Sequence, residues 1–386
     1  MRVIHSIPSL MPSYGGPARS VPELCRWLAG HVESVEIISS RAAGDREEPL
    51  SMESVQTYFA RSISIKRLRL AWSAQYRQLL QDRIKSSRPH IFHDHGIWLQ
   101  TNHVAVNFAH DHSIPLLISP RGTVEPWALH HKVWKKRLAW RLYQRKDLNK
   151  AVVLHATSSG EAEQLRMLGL TQPIAIVPNG VNLAEPGGTE NRDGSGERIC
   201  LFIGRIYPVK GLMNLVEAWS KAKPEGWKMV LAGPDESQHQ EKVEAAVRKH
   251  NLEDSFSFVG PVTDAEKKVW LKKADLIVLP SFSENFGIVV VEALNYNKPV
   301  ITTRGTPWEE LLTHKCGWWI DIGVDPLADA LAEATSMSSE ERHQMGCRGR
   351  KLVERRYSWP MLASRMHEVY QWMLDEGTVP DCVMRN

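Results

Sequence analysis

Short β-branched and apolar runs recur along the chain, and each is followed by a stretch whose apolar residues return at helical spacing. In the first half the strand-like runs are 3–7, 35–38, 90–93, 115–118, 151–155 and 174–177. Helical patterns fit 20–30, 73–86, 100–112, 132–148 and 159–168 between them. The second half repeats the theme, with strands over 199–203, 228–231, 256–259, 276–279, 299–302 and 317–320. Helices there fit 211–222, 238–250, 264–273, 287–296 and 325–336, and a last helical, aromatic stretch covers 359–373. Strand–helix alternation of this length implies parallel sheets flanked by helices. One sheet holding every strand would exceed the usual size. The pattern therefore predicts an α/β fold of two doubly wound, Rossmann-like domains.

Their boundary is visible in the chain. Residues 182–197 read NLAEPGGTENRDGSGE, polar and aperiodic, rich in Gly and Pro, which is linker chemistry. The expected domains are 1–180 and 198–358, joined by a linker over 181–197, with 359–386 a C-terminal helix that could return to the first domain. Doubly wound sheets bind ligands beyond the carboxyl ends of their strands. Two such domains facing a cleft place the natural site between them.

Composition narrows the class. Hydrophobic residues make up 42% and charged residues 24% of the 386, near globular averages, which excludes disordered and collagen-like chains. No apolar run approaches the roughly 18 residues of a spanning helix. The N-terminus turns polar too soon for a signal peptide. Five scattered cysteines without a CxxC pair fit neither a disulfide framework nor a zinc cluster, so a cytoplasmic protein with reduced thiols is expected.

Charge is divided unevenly. Residues 1–180 carry 23 Lys/Arg against 14 Asp/Glu, a net +9, while the remainder carries 25 against 30, a net −5. Two stretches concentrate the excess, 61–88 and 132–150, the second with eight basic residues against Asp147 alone. Within it Val133, Trp134, Leu138, Leu142 and Leu148 fall at roughly helical spacing. A basic amphipathic helix with tryptophan can lie on an anionic membrane surface, which would make the protein peripheral on the inner face of the cell membrane. An ordinary solvated helix with its apolar side in the core has the same pattern. No DNA- or RNA-binding module is recognisable, so nucleic acid is not an expected partner.

Three segments could carry chemistry. Tyr14-Gly15-Gly16-Pro17 follows the first strand, and paired glycines let backbone N–H groups approach a phosphate, although a tight turn would use them equally. Gly204-Arg205-Ile206-Tyr207-Pro208-Val209-Lys210-Gly211 joins a strand to a helix. Its two cations could clamp a pyrophosphate, Arg205 as a fork and Lys210 as a point charge. In Ser283-Glu284-Asn285-Phe286-Gly287 and the helix behind it, Glu284 and Glu292 stand in a Glu-x7-Glu spacing. Glu292 is surrounded by apolar neighbours, where an acid either bears a desolvation cost or binds something polar, such as sugar hydroxyls. The turn at Asn285, Phe286 and Gly287 offers backbone N–H groups at the helix start.

GGPARS at 15–20, VPNGVN at 177–182, GRIYPVKG at 204–211 and SENFGIVVVEAL at 283–294 together resemble the retaining GT-B glycosyltransferases of family 4, the glycosyl transferases group 1. The resemblance covers nearly the whole chain. It implies a C-terminal domain that holds a nucleoside-diphosphate sugar and an acceptor-side N-terminal domain. Arg205 and Lys210 match the residues that bind the diphosphate, Glu292 the acid on the ribose, and Glu284 the acid on the donor hexose. Asn285, Phe286 and Gly287 match backbone contacts to sugar and phosphate. Gly15 and Gly16 match the loop over the β-phosphate. Pro261 and Val262 lie where the base usually stacks. Many relatives carry a histidine shortly after the fourth strand; here Arg121 stands there, able to meet donor phosphate, donor hexose or acceptor.

The implied reaction is transfer of a hexose, with retention, to a hydroxyl of a lipid-linked or growing surface polysaccharide such as O-antigen, capsule or exopolysaccharide. It needs neither cofactor nor metal, because cations and helix ends stabilise the departing diphosphate. No Asp-x-Asp occurs for a metal-bound diphosphate. His93-Asp94-His95 offers ligand types, but neighbours on a strand end point in different directions, and lining an acceptor cleft or forming a structural turn are the readings favoured over metal. A retaining phosphorylase or sugar-phosphate synthase, a sugar-nucleotide epimerase and a non-enzymatic membrane scaffold are the alternatives.

Overall fold

A parallel sheet covered on both faces needs strands that are apolar throughout, and the four-residue run Leu276–Leu279 is buried at every position. The protein is described from a computed structural model covering residues 1–42, 48–50, 54–65, 70–124, 137–185 and 197–385. It divides into two compact units, Met1–Gly180 with Trp359–Asn386, and Val181–Ser358. Both are α/β with parallel sheets.

In unit 1 the strands are β1 (Arg2–Ser6), β2 (Ser34–Ala42), β3 (Gln56–Ile65), β4 (Leu70–Trp72), β5 (Ile91–His95), β6 (Leu116–Ser119), β7 (Val153–Ala156) and β8 (Ile174–Ile176). They are ordered β8-β7-β6-β5-β1-β2-β3-β4, and a short C-terminal strand, Val383–Met384, pairs antiparallel with β8. The order reverses between β1 and β5, which run parallel with His5 opposite His93. One sheet face is covered by the helices Gly16–Leu28 and Trp359–Met373, whose apolar residues join Val3, Ile91, Leu117 and Val153 in one core. The other face packs Ile4, Phe92, Ile118 and Leu154 against Tyr76, Leu80 and Phe108.

Unit 2 holds β9 (Arg198–Ile203), β10 (Trp227–Ala232), β11 (Phe256–Gly260), β12 (Leu276–Leu279), β13 (Val300–Thr303) and β14 (Gly317–Ile320). The order is β11-β10-β9-β12-β13-β14, every pair parallel. This is the dinucleotide-fold order, with its switch point between β9 and β12.

Several elements departed from the sequence expectations. No strand was expected where β3 and β4 lie; β3 begins before the basic stretch 61–88 and pairs antiparallel with β4 as an edge hairpin of the sheet. The 18-residue helix Ser339–Arg356 is so polar that its apolar period is faint; a capping box at Ser338 and Glu341 starts it. The helix expected over 132–148 is described from Arg137 onward, with a wide turn at Trp140–Gln144 before Arg145–Leu148. Its residues Val133 and Trp134, like Trp127, 66–69 and most of the glycine-rich stretch before β9, lie outside the described residues. Val181 and Ala184 bond to unit 2, through Tyr357 O and Asn295 Oδ1.

Candidate active site

Two loops leave the carboxyl ends of β9 and β12, the adjacent strands at which unit 2 reverses its order. They touch through backbone. Phe282 N donates to Val209 O at 2.8 Å. Gly211 sits at φ 68°, and a Cβ there would stand 2.1 Å from Pro280 O, so only glycine permits the approach. The turn Pro208–Lys210 then hands over to the helix Leu212–Ala222.

That approach brings Lys210 and Glu284 together. Lys210 Nζ forms an ion pair with Glu284 Oε1, and Ser281 Oγ donates to the same oxygen at 2.7 Å. The Glu284 backbone is held by its N–H to Gly305 O at 2.8 Å. Both side chains of the pair are mostly covered, 13% and 15% exposed. Arg205 lies on the rim, with its side chain 58% exposed and paired at 2.6 Å with Glu236 of the loop after β10. Phe286 is buried against Trp308 and Tyr357, and Trp308 Nε1 donates to Phe286 O at 2.5 Å. The chain is thereby pinned before Gly287, whose φ of 73° opens the helix Ile288–Asn295.

Glu292 is not the lone acid its apolar neighbours suggest. Lys267 Nζ meets its Oε1 at 2.6 Å, from the helix Asp264–Lys273. That helix begins with a capping box at Thr263 and Glu266, directly after Pro261 and Val262; Pro261 is exposed and Val262 packs on the core. Lys267 and Glu236 were missed in the sequence, since they reach the site from beyond β11 and β10. Ser281 lay at the head of the expected 281–294 segment, without an assigned role. A Lys three residues after an Asp on a helix carries no signal of its distant partner.

Arg205, Lys210, Glu284 and Glu292 thus stand in three ion pairs, two largely covered and one exposed, rather than as free charges. Each cation still faces a carboxylate with lone pairs that a phosphate or hydroxyl could replace. Loops at a switch point, cations paired with single carboxylates and a helix start directly behind them together suit a substrate carrying phosphates and hydroxyls.

In unit 1, Gly15 caps the helix Gly16–Leu28 at φ 94°, and no atom lies within 4 Å of a Cβ at either Gly15 or Gly16. Arg121 follows β6 at φ 56°. Its Nε and one terminal nitrogen lie 3.3 and 3.1 Å from His95 Nδ1, and its other terminal nitrogen donates to Asn179 Oδ1 at 2.8 Å. Burial lowers its pKa to about 10. His93 and His95, two apart on β5, share a face with His5, while Asp94 points the other way. Ser6 Oγ and Asn102 Nδ2 donate to Asp94 at 2.5 and 3.0 Å, yet desolvation still lifts its pKa to about 8. Nitrogens of His5, His93 and His95 lie within 4.8 Å of one another, close enough to hold a metal ion. Adjacency along β5 hid this; the third ring comes from β1.

The profile described as glycosyl transferases group 1 matches residues 189–352, and that of the glycosyl transferase 4-like domain matches 15–180. Between them the two profiles span most of the chain, which is a glycosyltransferase with a group 1 domain over 189–352. It is 22% identical over 394 residues to the GDP-mannose:cellobiosyl-diphosphopolyprenol alpha-mannosyltransferase of Xanthomonas campestris, covering 99% of this chain and 100% of that one. Sucrose-phosphate synthase from Thermosynechococcus elongatus superposes with a TM-score of 0.79 at 19% identity, over 98% of this chain and 100% of that one. HepE of Anabaena, solved with UDP and glucose, gives 0.73 at 15% identity, over 96% and 100%. This glycosyltransferase accordingly has the GT-B fold, two parallel-sheet α/β domains.

Proposed function

We propose that the protein transfers a hexose, with retention, from a nucleoside-diphosphate sugar to a hydroxyl of a lipid-linked or growing surface polysaccharide. The observation that carries the donor half is the meeting of the 204–211 and 280–287 loops at the unit 2 switch point, with Lys210 against Glu284. On donor binding, the diphosphate takes Lys210 and Arg205 from their carboxylates. Glu284 is freed toward the hexose and Glu292 toward the ribose. Pro261 and Val262 flank the base, and the N–H groups at Asn285, Phe286 and Gly287 face sugar and phosphate. As the glycosidic bond breaks, charge grows on the leaving phosphate, where fixed cations are worth most. That phosphate can take the acceptor's proton, so the reaction as proposed uses no metal. In unit 1, Arg121 and the Gly16 amide are further donors to substrate oxygens, and the Gly15 N–H joins them only by leaving Pro12 O.

The acceptor half is supported by the polyprenol-linked substrate named for the Xanthomonas relative. A membrane surface is supported by Leu138 and Leu142, one helical turn apart and 52% and 62% exposed beside Arg137, Arg141, Arg145 and Lys146. Among the described residues no helix is long and apolar enough to cross a membrane.

The test is a thermal-shift screen across GDP-, UDP- and ADP-sugars, followed by transfer assays. One donor class should raise the melting temperature; a ligand at a hundred times its Kd stabilises by about 2.7 kcal/mol. Glu292→Ala, Arg205→Ala and Lys210→Ala should each cut transfer at least about a hundredfold with the fold intact. Full activity in all three, or an inverted anomeric product by NMR, refutes the reading.

A further inference from the structure

Four buried imidazoles, His5, His93, His95 and His155, lie under the C-terminal helix on one face of the unit 1 sheet. All eight of their ring nitrogens have a hydrogen-bond partner, and the two ends of the chain they form dictate where every proton sits. At one end His155 Nε2 is 2.8 Å from Val177 O. A carbonyl only accepts, so Nε2 carries the proton and Nδ1 is bare. His93 Nε2, 3.4 Å from that Nδ1, must donate to it. His93 Nδ1 is then bare, and the Tyr370 hydroxyl donates to it at 2.7 Å. At the other end the Arg121 guanidinium only donates, so His95 Nδ1 accepts. His95 Nε2 therefore donates to His5 Nδ1 at 2.9 Å. His5 Nε2 directs its proton to the Tyr370 oxygen at 3.4 Å. The two deductions meet at Tyr370 without conflict: its single proton goes to His93, and a lone pair receives His5.

We propose that His95, His5, Tyr370, His93 and His155 form a one-directional hydrogen-bond relay, closed at the Val177 carbonyl, that positions the Arg121 guanidinium. The cluster is then a positioning device and not a metal centre. A metal on His5, His93 and His95 would need three lone pairs that the relay already uses. An extra proton on any ring would face a donor, and none of the four has a carboxylate partner among the described residues. Burial and the Arg121 charge act in the same direction, holding His5 and His155 near a pKa of about 3. The relay leaves Arg121 with N–H donors beyond those spent on His95 and Asn179, suited to an anionic oxygen. That last use rests on the proposed function; the proton order does not.

The test is a long-range 1H–15N correlation on the full chain labelled with 15N-histidine at pH 7. Four imidazoles should show Nε2–H with bare Nδ1, and adding stoichiometric zinc should leave them unmoved. A Nδ1–H tautomer or an imidazolium among the four, or a zinc-induced shift of three of them, overturns the relay. Tyr370→Phe removes the central link at nearly constant volume. It should move the Arg121 Nε–H resonance and speed its solvent exchange about five- to tenfold. An unchanged Arg121 signal in that variant overturns the positioning role. The wild-type spectrum decides the proton order even if the variant does not fold, and neither measurement depends on glycosyl transfer.

Discussion

Mild acid should undo unit 1 before unit 2. An imidazole whose pKa falls on folding stabilises the fold above its unfolded pKa, and that stability is lost as pH drops. His5 and His155 are held near a pKa of about 3, and His93 and His95 well below their ordinary 6.5, first by burial. Between pH 6.5 and 5.5 the unfolded chain gains protons on each of them while the folded chain does not. The cost is about 1 kcal/mol per ring, or about 4 kcal/mol together. Asp94 acts the other way. Its pKa of about 8 means the folded state keeps a proton that the unfolded state releases, so its contribution grows as pH falls, by about 1.4 kcal/mol per unit. Arg121, Tyr370 and Cys25, which face the cluster, titrate outside this window. The net loss is a few kcal/mol over one pH unit, a large share of ordinary stability. Native-state hydrogen exchange in urea, corrected for its intrinsic pH dependence, reads the two units separately. Peptides from β5 and β7 should lose that much protection, with those from β9 and β12 as the internal comparison. Unchanged or greater protection of β5 and β7 at pH 5.5 would refute the neutral, desolvated assignment of the four rings.

Gly211→Ala should destabilise unit 2 by more than about 2 kcal/mol in urea melts and weaken donor binding. Its Cβ meets Pro280 O at 2.1 Å in a left-handed backbone. Wild-type stability and donor affinity in that variant would show that the two loops need not touch. EDTA should leave turnover unchanged, and a strict divalent-ion requirement would contradict charge stabilisation by Arg205 and Lys210 alone. Leu138→Asp with Leu142→Asp should lower sedimentation with phosphatidylglycerol vesicles more than tenfold, since each leucine is worth about 1.5–3 kcal/mol when buried. Undiminished vesicle binding would remove that helix from the membrane account.

Local pattern was enough for most of the architecture. Apolar runs such as 276–279 and 317–320 are strands at those bounds, the first buried at every position, because both faces of a covered parallel strand must be apolar. The helices over 264–273 and 359–373 likewise stand where their spacing placed them. The loops bearing Gly211 and Gly287 were legible too, since glycine marks both turns, whereas Arg121 at φ 56° left no such mark. Not legible were the short β3–β4 edge hairpin and the helix Ser339–Arg356, whose many charges leave its apolar period faint.

Side-chain partners lay beyond the sequence for a different reason. Lys267 meets Glu292 and Glu236 meets Arg205 only because strand order sets their loops side by side. Positions 5, 93, 95, 155 and 370 become one buried chain only when β1, β5 and β7 align beneath the last helix. Periodicity reports how each segment meets the core. Which charges neutralise one another, and which ring holds which proton, depends on distances between segments, and only the folded chain has those.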